Sequence, residues 1–370
     1  MTFCDAGVAT PPLGLGLAAL GRPGYINLGH DADLPSKTVD EMREQAFVVL
    51  DKAWEQGVRY FDAARSYGRS EEFLAAWLAS RGIPASAVVV GSKWGYTYTA
   101  GWRVDNGEEP HEVKEHTLAN LEKQWPLSRD LLCPHLDLYQ IHSATQASGV
   151  LRNPDVIEGL SRLKRERGVR IGLTLSGVEQ GETLRQALKV KMTTPPQVPG
   201  GAGTTAEEEE DRLLFDCVQA TWNVMEQSAG DALLEAREAG LEVIVKEALA
   251  NGRLTRRNES PAAAATLDAL KELGESFSNS HQTDVDGSGE TFDVDAVALA
   301  VVMCQPFKPM TLSGATTTAQ LESNAAALRL LDRLRSSSSE SSEALVRRVL
   351  NVGKVEPETY WNERSALAWN

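Results

Sequence analysis

Short apolar, β-branched runs alternate along the chain with longer stretches whose apolar residues recur at helical spacing. The runs occupy residues 13–20, 58–61, 88–90, 136–141, 169–175, 215–220, 241–245 and 310–312. Between and after them, residues 38–56, 70–79, 112–124, 154–167, 182–189, 231–239, 261–273 and 318–331 carry helical periodicity. A run followed each time by a helix predicts parallel strands with helical crossovers. Eight such units within residues 12–332 predict one α/β domain, a (β/α)8 TIM barrel with eight parallel strands, and a doubly wound sheet is the alternative.

Three segments interrupt the alternation. Residues 193–211 join a Pro/Gly-rich stretch to five consecutive acids, and residues 278–295 are polar and acidic; both read as flexible loop insertions of the barrel. The run SSSSESS opens a Ser-rich linker within residues 333–370, followed by a helix at about 343–351 and a tail holding Tyr360, Trp361 and Trp369. Asp284 to Asp295 also matches the spacing of a calcium loop. The helix that should enter it stops near Leu273, and position eight is Thr291 where an apolar residue is usual, so a solvated insertion is the stronger reading.

The chain has 370 residues, 42% apolar and 24% charged, enough for a substantial core. Its net charge of −15 disfavours nucleic acid and anionic membranes as partners. The acids of 207–211 and 284–295 account for ten of those charges, which leaves −5 for the remainder. An anionic ligand on the barrel face would therefore meet Lys246, Arg253 and helix N-termini rather than the chain's average charge. Cys4, Cys133, Cys217 and Cys304 lie far apart with no C-x-x-C pair, which points to a reducing, cytoplasmic setting. Cys133 and His135 have no second pair at ligand spacing, and no metal is expected.

Four polar residues fall at strand ends that a parallel barrel would gather on one face. VRYFD ends in Asp62, Tyr67 follows five residues later, VVVGSK delivers Lys93, and DLYQIH delivers His142. A tyrosine exchanges protons poorly near its ordinary pKa of about 10, but an adjacent ammonium favours the phenolate. Lys93 supplies that charge, Asp62 keeps Lys93 protonated, and His142 orients a carbonyl and shares its proton. Tyr25, Trp94 and Trp222, near strand ends, are candidates for the wall of an apolar substrate pocket, whereas Trp54 and Trp77 fall on helix faces as core residues do.

The segments FDAARSYGRSEE, VVVGSKWG and DLYQIHS resemble, in order, the motifs that carry the catalytic tetrad of the aldo-keto reductase superfamily. GLTLSG, DCVQATWN and SGATTTAQLESNAAAL resemble that superfamily's fifth, sixth and eighth strand segments. The resemblance implies a barrel that interconverts a carbonyl (aldehyde, ketone or sugar) and an alcohol, with NADP(H), or alternatively NAD(H), as cofactor. Tyr67 is then the general acid/base of a tetrad with Asp62, Lys93 and His142. Ser176 and Gln219 match residues that hold the nicotinamide carboxamide, and Gly314, Thr316, Gln320 and Asn324 match the adenosine end. In VIVKEALANGRL, Leu249 falls on the cofactor, and Lys246 stands where much of the superfamily has a stacking tyrosine. Gly314 and Gln320 stand where Lys and Arg often meet the 2′-phosphate. A cofactor-binding, redox-sensing subunit similar to potassium-channel β-subunits is the alternative on the same fold.

Overall fold

In a computed structural model describing residues 7–193, 212–278, 291–337 and 340–370, eight parallel strands close into a barrel. In chain order the strands are β1 (Leu13–Gly16), β2 (Tyr60–Asp62), β3 (Val89–Trp94), β4 (Tyr96–Tyr98), β5 (Glu112–Lys114), β6 (Leu136–Ala144), β7 (Arg170–Leu175), β8 (Cys217–Thr221), β9 (Glu242–Lys246) and β10 (Met310–Ser313). Around the barrel the order is β1-β10-β9-β8-β7-β6-β3-β2, while β4 and β5 form a separate antiparallel hairpin. Each predicted run overlaps a barrel strand, with ends that differ by up to four residues.

Alternation along the strands explains both the core and the site. Tyr60, Val89, Leu138, Cys217, Ile244, Met310 and Leu312 form, with Val8, one small buried cluster. The residues of opposite parity, such as Phe61, Val90, Tyr139, Val218 and Val245, belong to the larger cluster shared with the helices. Two residues further along the inward parity come Asp62, Gly91, Gln140, Gln219 and Lys246, and Lys93, His142 and Thr221 follow after the next step. The polar site is thus the continuation of the inner core toward the C-terminal ends of the strands.

The surrounding helices are α1 (His30–Asp33), α2 (Val39–Glu55), α3 (Ser70–Arg81), α4 (Leu118–Leu132), α5 (Pro154–Arg167), α6 (Gln180–Ala187), α7 (Gly230–Glu238), α8 (Ala264–Ser278), α9 (Val294–Met303), α10 (Thr318–Ser336), α11 (Glu340–Gly353) and α12 (Pro357–Ser365). Thr38, Thr117, Asn153 and Thr317 cap α2, α4, α5 and α10 through side-chain acceptors.

Several sequence expectations need correction. Residues 112–114 are strand, because they pair with β4; α4 begins only after the Thr117 cap and runs through Pro126 to Leu132. Helix α9 shows no periodicity because nine of its ten residues, Val294 and Ala296–Met303, are buried. The helix expected at about 343–351 is α11, and the expected tail holds a further helix, α12. Helix α11 packs on α8, Tyr360 is fully buried with its hydroxyl accepting from Asn223 (2.9 Å), and burying a ring of that kind contributes about 1.5–3 kcal/mol. Of the two insertions, residues 194–211 and 279–290, including most of the calcium-like loop, lie outside the described residues. Among the described residues no helix is long and apolar enough to cross a membrane, and Cys133 and Cys304 are free thiols.

The loop carrying Tyr67 is fixed by a crossing of two glycines. A Cβ on Gly21 would stand 2.3 Å from the Tyr67 carbonyl oxygen, and a Cβ on Gly68 would stand 2.3 Å from the Gly21 oxygen, which accepts a hydrogen bond from the Arg69 N–H at 2.7 Å. Backbone cannot yield there as a side chain can. Gly21→Ala is expected to destabilise the protein by about 1–3 kcal/mol in urea unfolding, whereas Gly181→Ala, in α6 with its nearest contact at 3.7 Å, leaves stability unchanged or raises it.

Candidate active site

A cleft of about 430 Å3 opens at the C-terminal ends of the strands, where parallel barrels place their reacting groups. Asp62, Tyr67, His142, Ser176, Gln219, Lys246, Leu249, Gly314, Thr316, Gln320, Asn324 and Tyr25 line it. Lys93 lies beneath that surface, fully buried. Trp94 and Trp222 do not line the cleft: Trp94 packs edge-on against His116 and Trp222 against Phe307, both inside the core. Arg253 is likewise displaced, held by Glu363 at 3.0 Å and stacked over Tyr360.

The floor is a buried ion pair. Lys93 Nζ donates to Asp62 Oδ2 and, at 2.9 Å, to the Ala63 carbonyl. The other Asp62 oxygen accepts from Tyr60 (3.0 Å), Gln219 (3.1 Å) and Gln140 (3.3 Å). Gln219 therefore spends its amide N–H on the carboxylate. Burial pulls the Lys93 ammonium below its ordinary range, and Asp62 opposes that shift.

Above the pair, the Tyr67 hydroxyl lies 3.4 Å from His142 Nε2, and Ser66 Oγ lies 3.3 Å from His142 Nδ1. Lys93 Nζ sits 4.5 Å from the centre of the Tyr67 ring, and the Arg22 guanidinium 5.2 Å from it. The expected phenolate is corrected here. Burial holds the Tyr67 hydroxyl well above its ordinary value, Asp62 adds to that shift, and Arg22 is the cation that opposes it. Lys93 cannot win because its charge is already matched by the carboxylate beside it. Tyr67 is therefore a neutral phenol.

His142 is neutral for a related reason: burial first, then Lys93, Arg22 and Lys246, push its imidazole well below 6.5. Burial also lowers His116, whose Nε2 bonds the His142 carbonyl at 2.9 Å, to about 4, and His30 to about 4.

Lys246 does not point a free ammonium into the cleft. It donates to Thr221 Oγ1 at 2.7 Å and lies 3.6 Å from Glu247. Burial alone would raise the Glu247 carboxyl, but Lys246 and Arg364 hold it at about 2.

Other wall residues carried no motif. Arg22, in the loop after β1, donates to the Ser66 carbonyl (3.1 Å) and Glu112 (2.9 Å). Trp369 stacks on His111 at 4.0 Å, Arg22 sits over its indole face, and Asn370 exchanges two backbone hydrogen bonds with Tyr25. Asp33 accepts from Gln320 (2.7 Å), Thr316 (3.4 Å) and Arg257 (2.6 Å). Asp295 also lines the cleft, with Ser323 donating to it at 2.9 Å. The only hint of these in the sequence was a long loop, a tail rich in aromatics and an acidic stretch. Among the described residues no group of three His, Cys, Asp or Glu side chains could hold a metal ion.

The three buried neutral histidines set a pH dependence. Below about 6.5 the unfolded chain binds protons that the native state refuses, so the unfolding free energy rises with pH across that range. Stability is expected to fall as pH drops from 7 toward 4.5 in urea titrations. His116→Gln, which keeps an N–H for the His142 carbonyl, makes the fall shallower.

With this geometry in place, comparisons with known proteins agree in direction. The sequence profile of the Aldo/keto reductase family matches residues 12–345. An aldo-keto reductase of Strobilurus tenacellus is 26% identical over 249 residues, 67% of this chain and 60% of that protein, so the chain spans less than two thirds of that relative. The structure of a glycerol dehydrogenase from Gluconobacter oxydans superimposes with a TM-score of 0.62 at 18% identity, covering 93% of each chain. An aldo-keto reductase from Klebsiella pneumoniae in complex with NADPH gives 0.56 at 18% identity, covering 92% of each. The structural similarities show a shared fold.

Proposed function

The chain belongs to the aldo/keto reductase family, whose members are generally oxidoreductases of small-molecule carbonyl substrates, and from that premise we propose that it is an NAD(P)(H)-dependent oxidoreductase interconverting a carbonyl and an alcohol, with Tyr67 as general acid/base. The observation that carries this reading is the neutral Tyr67 hydroxyl set 3.4 Å from His142 Nε2 over the buried Lys93–Asp62 pair.

The cleft fits a dinucleotide. Its volume is within the range of small-ligand sites. Gly314 presents no side chain toward it, the nearest heavy atom to an added Cβ being Asn27 Nδ2 at 4.0 Å. Asn251 Oδ1, on a cleft-lining residue only 5% exposed, lacks a hydrogen-bond donor. In this reading Ser176 and Gln219 flank the nicotinamide, and Leu249, Gly314, Thr316, Gln320 and Asn324 hold the remainder. The nicotinamide would supply or accept the hydride.

The protein's own part is proton transfer and charge control. As negative charge develops on a carbonyl oxygen, Tyr67 donates its proton to it. The phenolate left behind is stabilised by Lys93 under the ring and Arg22 beside it, the two cations that a resting phenol does not need. Ser66 donates to His142 Nδ1, which leaves Nε2–H to hold the carbonyl oxygen. Burial of Asp62 among three donors and the Lys93 ammonium keeps that ammonium in place through the cycle.

Tyr67→Phe is expected to lower kcat by about 10²–10⁴-fold for aldehydes, ketones or sugars assayed with NADH and NADPH, while cofactor binding persists. Comparable turnover in that variant would remove Tyr67 from the reaction. Tight cofactor binding by the parent protein with no turnover on any carbonyl would favour the redox-sensing alternative.

A further inference from the structure

We propose that Asp33 makes the cleft selective for NAD(H) over NADP(H), accepting a hydrogen bond from the ribose 2′-hydroxyl that carries a phosphate in NADP(H); this rests on the dinucleotide function proposed above. The barrel order locates the relevant end. His142 is on β6, and β10 is four strands away in either direction. The loop from β10 into α10, with Thr316 and Gln320, therefore stands across the barrel mouth from His142. In the proposed function Gly314, Thr316, Gln320 and Asn324 hold the end of the dinucleotide away from the nicotinamide, which puts the adenosine ribose at this loop.

The groups that meet it are mainly carboxylates. Asp33, Asp293 and Asp295 line this part of the cleft together with Arg256 and Arg257. Both arginines are already matched, Arg256 by Asp293 and Arg257 by Asp33, so the five residues sum to −1. Asp33 is also anchored: its side chain is only 10% exposed, Gln320 and Thr316 donate to it, and Arg257 ties it to the Leu28 and Gly29 carbonyls at 3.1 and 3.2 Å.

A carboxylate only accepts hydrogen bonds. A ribose hydroxyl donates one and adds no charge, which is the pairing by which acidic residues hold the 2′-hydroxyl in other dinucleotide folds. A 2′-phosphate brings two negative charges and further acceptors, and would have to displace Asp33 from three donors.

The test is fluorescence titration of NADH and NADPH into the full chain and into Asp33→Ser. The parent protein is expected to bind NADH at least about tenfold more tightly, equivalent to about 1.4 kcal/mol. Asp33→Ser frees Arg257 and Gln320 for a phosphate and is expected to cut the preference at least tenfold, mainly by tighter NADPH binding. Should that variant not fold, Asp33→Asn keeps an acceptor while removing the charge and should narrow the preference in the same direction. Equal or tighter NADPH binding by the parent, or a ratio unmoved by substitution, overturns this inference alone. If neither nucleotide binds, the proposed function fails and this inference with it.

Discussion

The site depends on keeping one ion pair, Lys93 with Asp62, out of water at the top of the barrel's inner core. Removing two charges from water is costly, and the attraction between them compensates only when every remaining donor and acceptor is also satisfied. Here Tyr60, Gln140, Gln219 and the Ala63 carbonyl complete the set, so strands β2, β3, β6 and β8 are all tied to one carboxylate. Gly91 belongs to the same arrangement, because a Cβ there would meet the Tyr60 hydroxyl at 2.6 Å. The chemistry at Tyr67 and the register of half the barrel are thus held by the same atoms.

Burial keeps Tyr67 neutral at rest, and that pair does not oppose it. A lone ammonium below a phenol would favour its ionisation, but an ammonium with a carboxylate at its side presents nearly no net charge. The positive charge becomes useful only when the phenol has lost its proton. In the proposed reaction Lys93 and Arg22 would then stabilise a charge that develops on Tyr67 rather than one present beforehand, which is how a site favours a transition state over its ground state.

The strands and the Asp62, Tyr67, Lys93 and His142 constellation were legible in the sequence because each follows from a local rule: a β-branched run, then a polar residue at its end. Parity along a strand is equally local, and it carried Gln219 and Lys246 to the inner face. What could not be read depends on long-range closure. Arg22 and Trp369 sit in a loop and a tail with no period and Asp33 ends the four-residue helix α1, and only the folded chain brings them to the mouth. Trp94 and Trp222 misled because position after a strand does not say whether a ring turns inward to the cleft or outward to the helices. Helix α9 escaped because a helix buried all round has no polar face to mark its period. The acidic stretch misled in another way: Asp293 and Asp295, grouped with solvated insertion residues, instead start α9 and reach the cleft.

The division of labour between barrel and tail separates the effects of substitution in each. Tyr67, Lys93 and His142 sit on or beside strands whose register is shared with their neighbours, so a change in one strand disturbs the others. Arg364, Leu367 and Trp369 line the same cleft from a segment that belongs to no barrel strand. A substitution in that segment can therefore alter the mouth of the cleft without disturbing the strand register that sets Tyr67, Lys93 and His142.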